Sequence, residues 1–380
     1  MTRPAAPVSF LCAEIGRGHP FYLDGLIYAL REAGRAELIA RRSDVFTLSR
    51  GRAHAAWQAV RALYHVAARG GLVAATYRRM RDRVRYDEPS RLLDLLGRDL
   101  RRWAGREGIV VVDHPLLVGA LGDREDVWYM HGELVAPPEA IVHSAAGIFV
   151  PDQRTAQIFV GGGVAPERLA VTGPCVDPLL VPMAEAARRR RRKRLRSTAP
   201  LTVAVFSSGA EPSAHVQALS AAAAVLARTG HRVVVFARRG GRLERRVSAG
   251  AATSLDPVVI PFSGRDELDR QTAAHFEALD LVIGPPHERS SWAFALGLPL
   301  LIVGPDVGTF APLNRERLTT AGVAVALEAM AEDPARLPTA LLQLRRSGRL
   351  GQMLERGTGP RTDGFRRAAA ALVEVVGASK

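Results

Sequence analysis

The sequence predicts an α/β protein built as two parallel-sheet domains with helices on both faces. Three observations predict it. Short apolar runs that suit buried parallel strands recur along the chain. Helical stretches separate most of them, as crossover connections require. The alternation stops at a basic stretch near residues 184–200 and restarts cleanly at "LTVAVF" (201–206). A length of 380 residues suits two cores of this kind and is long for one.

The first domain is expected over residues 1–183. It opens with "VSFLCA" (8–13), an apolar run without alternation. A Gly-rich turn follows, then a helix from about Phe21 to Ala33 that ends at Gly34. Further strands are expected at "GIVVVD" (108–113), "DVWYM" (126–130), "AGIFVP" (146–151) and "RLAVTG" (168–173). A helical, basic insert occupies roughly 54–104. In it Trp57, Val60, Tyr64 and Ala67 recur at helical spacing, and so do Leu92, Leu96, Leu100 and Trp103. "YRRMRDRVRY" (77–86) lies between the two stripes. Such stripes ordinarily face a core while the arginines face water; the sharper reading lays the pair on a membrane surface.

Residues 184–200 are expected to be a solvated basic linker. Eight of the nine residues from Arg188 to Arg196 are basic, and like charges in a run repel and favour solvent. The same run could touch anionic lipid, where each charge contributes about 1 kcal/mol.

The second domain is expected over 201–360. After its first strand comes a helix with Pro212 near the first turn and Gly230 at the end. Strands follow at "HRVVVFA" (231–237), "PVVIPF" (257–262), "LDLVIG" (280–284), "PLLIVG" (299–304) and "GVAVAL" (322–327). Segment 361–380 carries a last helix near 363–376, expected to pack back on the first domain.

Composition narrows the function classes. Hydrophobic residues make up 47% of the chain, which argues against wholesale disorder. No run of about 18 apolar residues exists, so no spanning helix is expected. The first residues lack the order of a secretory signal, because Glu14 interrupts the apolar stretch. The expected location is cytoplasmic, with peripheral contact at the inner face of the membrane. Cys12 and Cys175 have no metal-ligand spacing and read as small buried side chains. The net charge of +14 favours anionic partners without choosing among them. Nucleic acid is disfavoured, since no aromatic interleaving or known module accompanies the charge.

In doubly wound sheets ligands sit beyond the carboxyl ends of the strands, so the loops there are the ones to read. In "AEIGRGHPFYLDG" (13–25), Gly16 and Gly18 allow close backbone approach, and His19 stands where a neutral imidazole can take a proton from a hydroxyl. In "FSSGAEPS" (206–213), Ser207, Ser208 and Gly209 precede a helix and suit a phosphate. In "GPPHERSSWAFALGLP" (284–299), Arg289 suits a diphosphate, and Ser290 and Ser291 suit a helix cap. After the next strand come Asp306, Thr309 and Asn314. Each loop also has a plain reading: a capped or ordinary strand–helix turn.

Together these loops resemble the GT-B glycosyltransferases of the family that includes the lipid II-forming N-acetylglucosaminyltransferase and the mono- and diglycosyl-diacylglycerol synthases. The carriers are "GRGHPFYLDGL", "GIFVPDQRTAQIFVGGGVAPERLAVTGPCVDP" (147–178) and "HFEALDLVIGPPHERSSWAFALGLPLLIVGP" (275–305). The insert, with "WQAVRALYHVAARGG" (57–71), is most similar to the diacylglycerol enzymes. The resemblance implies two Rossmann-like domains facing each other across a crevice. It implies inverting, metal-independent transfer from a nucleotide sugar, usually a UDP-sugar, to a lipid or other hydrophobic acceptor. No cofactor is implied beyond that co-substrate. His19 is the implied base, and Phe262 the residue near the uracil. Aligned on "ALGLP", Trp292 stands where the family has the Glu that grips the ribose, and Arg289 where it has Thr. An indole has one donor and no acceptor, so the ribose grip must differ here. The rival expectation is a catalytically silent GT-B scaffold that binds a ligand, a membrane or a partner enzyme.

Overall fold

The computed structural model describes residues 7–15, 19–67, 76, 79–81, 83–122, 124–250, 256–287, 289–327, 333–359 and 362–378. The chain divides into two compact units, Met1–Cys175 with Thr362–Lys380, and Val176–Arg361.

The first unit runs β1 (Val8–Cys12), α1 (His19–Glu32), β2 (Ile39–Asp44), α2 (Val45–Leu48), α3 (Gly51–Ala67), α4 (Arg91–Ala104), β3 (Ile109–Val112), α5 (Pro115–Leu121), β4 (Val127–Met130), β5 (Gly147–Val150), α6 (Gln153–Gly161) and β6 (Leu169–Val171). Its strands form one parallel sheet in the order β2-β1-β3-β4-β5-β6. β1, β3 and β5 are buried along their whole length, which is why they read as unbroken apolar runs. β2 was not expected. Its sequence "IARRSD" is polar because it is the edge strand and stays partly exposed.

The stripes of the insert face the protein. Trp57 is fully buried, and its indole N–H donates to Leu96 O at 3.2 Å. On α4 the buried stripe is Leu93, Leu96 and Leu100; Leu92, expected in it, is 53% exposed. Much of 68–82 lies outside the described residues.

The second unit runs α7 (Ala184–Arg196), β7 (Thr202–Phe206), α8 (Ser213–Arg228), β8 (Arg232–Arg238), α9 (Arg242–Ser248), β9 (Val258–Phe262), α10 (Arg265–Phe276), β10 (Leu281–Gly284), α11 (Ser290–Ala295), β11 (Leu300–Ile302), α12 (Phe310–Thr320), β12 (Ala324–Ala326), α13 (Leu337–Arg346) and α14 (Arg349–Arg356). Its parallel sheet has the order β12-β11-β10-β7-β8-β9, the doubly wound arrangement of nucleotide-binding domains. Chain direction across the sheet reverses between β7 and β10. Those strands supply much of the core, with Val203, Val205, Leu281 and Ile283 buried beside Leu219, Ala223 and Leu226 of α8.

The last helix, α15 (Gly364–Ala378), belongs to the first unit. Phe365, Ala368, Leu372 and Val376 share a core with Leu23, Leu26 and Leu30 of α1. The approach is close enough that a Cβ at Gly25 would stand 2.3 Å from the Phe365 ring.

The basic run does not behave as a solvated linker. It is helix α7, packed within the second unit, and Arg191 is fully buried. Arg191 donates to the carbonyls of Leu279 (2.9 Å), Leu296 (3.0 Å) and Gly297 (2.9 Å). Arg194 pairs with the buried Asp280 at 2.6 Å. Carbonyls at the end of α11 and ahead of β10 lack partners of their own, and these arginines supply them. Among the described residues no helix is long and apolar enough to cross a membrane.

Candidate functional site

In the second unit the strand order places the switch point between β7 and β10, so the loops after these strands are the natural ligand edge. Phe206 ends β7 and stacks on Phe236 of β8, with centroids 4.6 Å apart and planes 3° off parallel. The guanidinium of Arg289, from the loop after β10, lies 4.0 Å from the Phe206 ring centroid and 5.3 Å from that of Trp292. A cation over an aromatic face is held in place while keeping its charge. The fold thus brings Arg289 beside the loop that Ser207, Ser208 and Gly209 begin. The Oγ atoms of Ser207 and Ser208 are both buried and have no hydrogen-bond partner among the described residues. Buried hydroxyls without partners are uncommon, because each costs roughly 1–3 kcal/mol.

The loop is pinned from its far end. Glu211 has φ 43°, in the left-handed region that side chains with a Cβ rarely adopt. Its carboxylate accepts from the backbone N–H of Arg242 at 2.6 Å, at the start of α9. A Cβ at Gly241 would stand 2.9 Å from that carboxylate, so glycine is required for the contact. Strain of this kind persists where surrounding contacts over-determine a loop. His215, third residue of α8, is fully buried. Its Nε2 bonds the Pro305 carbonyl after β11; a carbonyl only accepts, so Nε2 carries the hydrogen and Nδ1 presents a lone pair. That Nδ1 is buried without a partner, and burial lowers the imidazole pKa. Asp177 is buried, and burial raises its pKa against the Leu179 N–H and the charge of Arg289.

The other expected residues of this unit take different roles. Ser290 and Ser291 do not cap α11. The N-cap position is Arg289, without a side-chain bond, and the Ser290 hydroxyl turns back to the His287 carbonyl. Both serines are buried. Trp292 is 7% exposed and meets Phe206 edge-on at 5.5 Å and Phe276 at 6.4 Å. It is a packing residue beneath the loop. Asn314 is fully buried in α12. Asp306 is bound by Arg315, whose Nε lies 3.0 Å from both carboxylate oxygens. Phe262 ends β9, two strands from β7, which is roughly 10 Å across the sheet.

In the first unit the switch point falls between β1 and β3. Gly16 and Gly18 lie outside the described residues; His19 is the first residue of α1, and its side chain lies outside them too. The structure adds a residue that the sequence places at the end of a strand. Asp113 follows β3, is 1% exposed and accepts from the Ala13 N–H at 3.1 Å. Burial pushes its pKa up to about 8, with the charge of Asp44 adding and the Ala13 N–H and Arg42 opposing. It is therefore a carboxyl that holds its proton near neutral pH. The signal was an acid directly after an unbroken apolar strand. Beyond β4, His131 is buried, with Tyr129 Oη 3.0 Å from Nδ1 and Val135 O 3.0 Å from Nε2. By the same carbonyl argument its Nε2 carries a hydrogen. Cys12 and Cys175 are free and buried, and burial pushes both thiols up, away from nucleophilic use. Among the described residues no group of three or more His, Cys, Asp or Glu could hold a metal ion.

No known protein family matches the chain, and no curated protein does. Solved structures do. UDP-GlcNAc 2-epimerase from Neisseria meningitidis bound to UDP-GlcNAc is 12% identical, with a TM-score of 0.58 over 97% of this chain and 99% of that one. The S. aureus MnaA–UDP co-structure is 11% identical, with a TM-score of 0.59 over 97% and 95%. UDP-GlcNAc 2-epimerase from Methanocaldococcus jannaschii, in complex with UDP-GlcNAc and UDP, is 10% identical, with a TM-score of 0.55 over 97% and 99%. At these identities the likeness shows the fold: the chain has the two-unit, Rossmann-like GT-B fold.

Proposed function

We propose that this chain is an enzyme acting on a nucleotide sugar, held at the carboxyl edge of β7 in the second unit. The observation that carries this reading is the pair of buried Ser207 and Ser208 hydroxyls without partners, set beside the Arg289 cation. Two donors and a cation at a sheet switch point suit the diphosphate of a nucleotide. Phe262, two strands away, suits the base. The UDP and UDP-GlcNAc in the solved structures of the same fold support the choice of ligand.

The reaction we assign is inverting transfer to a lipid or other hydrophobic acceptor at the inner membrane face. His19 takes the proton of the acceptor hydroxyl. The oxygen forms a bond to the anomeric carbon, the bond from that carbon to the diphosphate breaks, and its electron pair leaves with the nucleotide. Ser207, Ser208 and Arg289 stabilise the charge that develops there. A second reading is epimerisation of the same nucleotide sugar, favoured by the neighbours named as UDP-GlcNAc 2-epimerases and by the buried Asp113, whose pKa burial raises.

The test is a nucleotide panel with the wild type and Ser207→Ala/Ser208→Ala. UDP is expected to raise the melting temperature of the wild type and to do so far less in the variant. No response to any nucleotide sinks the enzyme reading in favour of a silent scaffold. UDP-GlcNAc is then incubated without acceptor and followed by NMR. A new sugar epimer supports the second reading; UDP release that requires a lipid acceptor and fails in His19→Ala supports the first.

A further inference from the structure

The amino edge of the second unit's sheet carries a cavity that the proposed reaction does not use. Ser197 and Thr198 line it and lead into the start of β7, opposite the strand ends described above. Its volume is about 780 Å³, and α7, α13 and α14 build its walls. Arg192, Arg196, Arg345, Arg346 and Arg356 line it against one carboxylate, Glu355. That carboxylate is taken by Arg192, with Nε–Oε1 at 2.6 Å and Nη2–Oε2 at 2.7 Å. The other four arginines form no ion pair among the described residues.

Like charges gathered around a concave wall sum to a positive potential that attracts an anion. Arg345 makes the point most sharply. Its Nη2 donates to the Arg194 carbonyl at 2.9 Å, while its Nε is buried with no partner. Burial lowers its pKa. α14 begins at the cavity with Gly348 as N-cap at φ 72° and no side-chain cap, so the positive end of its dipole adds to the arginines. Gly351, in the same wall, has open space where a Cβ would stand. One flank is apolar, formed by Leu195, Leu354 and the 45%-exposed Leu342.

We propose that this cavity is a second anion site, which binds a phosphate ester carrying an apolar substituent. Guanidinium forks match phosphate oxygens two at a time, and the apolar flank suits the ester's carbon portion. The group could reach the site on a soluble phosphate ester or on a phospholipid, and the experiment separates the two.

The full chain is compared with Arg196→Glu/Arg346→Glu, two exposed positions outside the nucleotide site. Arg31→Glu/Arg154→Glu, on the first unit, carries the same change in net charge and serves as control. Binding of inorganic pyrophosphate is measured by calorimetry, and flotation with phosphatidylglycerol or phosphatidylcholine vesicles is measured beside it. Pyrophosphate affinity is expected to fall at least about tenfold in the cavity variant and to hold in the control. Flotation with phosphatidylglycerol alone, lost only in the cavity variant, identifies the lipid source; flotation with neither vesicle, with pyrophosphate binding still lost, identifies the soluble one. Equal behaviour of cavity variant and control on both probes overturns the proposal. So does pyrophosphate binding that responds to Arg289→Ala and not to the cavity variant. Should the double reversal not fold, Arg346→Gln is read in the same way, with a smaller loss expected.

Discussion

Arg191→Met tests whether the buried arginine of α7 is a structural clamp. The side chain is fully buried and serves three carbonyls, those of Leu279, Leu296 and Gly297. Methionine fills much of the volume and donates nothing, so three buried acceptors lose their partner. Each such loss costs about 1–3 kcal/mol. Against this stands the removal of a buried cation, whose desolvation is worth several kcal/mol. Burial pushes the Arg191 pKa down to about 9, so the charge itself opposes folding while its hydrogen bonds favour it. The balance is a net loss of about 3 kcal/mol. The assay is urea unfolding of the full chain, read through Trp292, the tryptophan of the second unit. Arg196→Met, on the same helix but exposed, is the comparison and should leave the midpoint where it was. Equal midpoints for the two variants would refute the clamp and return the run to a merely solvated role.

Three further outcomes follow from the sites. Asp113 holds a pKa of about 8 in the fold, against an unfolded value near 3.9. The folded protein therefore binds more protons between those values, and stability falls as pH rises through that window, by up to about 1.4 kcal/mol per unit. Asp113→Asn should flatten the melting temperature between pH 5 and 8; parallel profiles would show that Asp113 is ionised in the fold. Ser207→Ala/Ser208→Ala should leave the free protein as stable as the wild type or more so, since it removes two unpartnered buried hydroxyls, while weakening nucleotide binding. A destabilised variant in urea would mean the hydroxyls have partners. Trp292→Glu, which installs the residue of the resembling family, should destabilise by about 3 kcal/mol or more, because it leaves a cavity between Phe206 and Phe276 and places an unpaired carboxylate there. Retained stability with tighter ribose binding would show that the position still belongs to the ligand.

Most of the two sheets was legible because parallel strands covered on both faces cannot alternate. Apart from Ser9 and Thr202, β1, β3, β7 and β10 carry no polar side chain, and a run such as "IVVV" or "LVIG" announces itself. β2 escaped for the converse reason. An edge strand tolerates Arg41 and Arg42, and its membership depends on pairing with β1 and not on its own pattern. The helix register of α4 was offset by one residue at its start, where Leu92 and Leu93 are both apolar and only packing decides which turns inward.

The site was legible by loop and not by role. Sequence order marks which loops follow strands, and the switch point then selects those after β7 and β10. What each side chain does there depends on contacts that span the chain. Arg289 could be read as a cation, but its seat on Phe206, 83 positions earlier, needs β7 and β10 to be neighbours. Ser290 looks like a cap in sequence and is a buried first-turn residue in space, because the turn from Pro285 brings the His287 carbonyl to its hydroxyl. The basic run is the strongest case. Charge density alone predicts solvent, yet one arginine in it is wholly buried by carbonyls 88 to 106 positions away. A charge pattern describes what water would prefer; unsatisfied backbone elsewhere in the fold can outbid water for a single residue, and only the assembled helix ends reveal where.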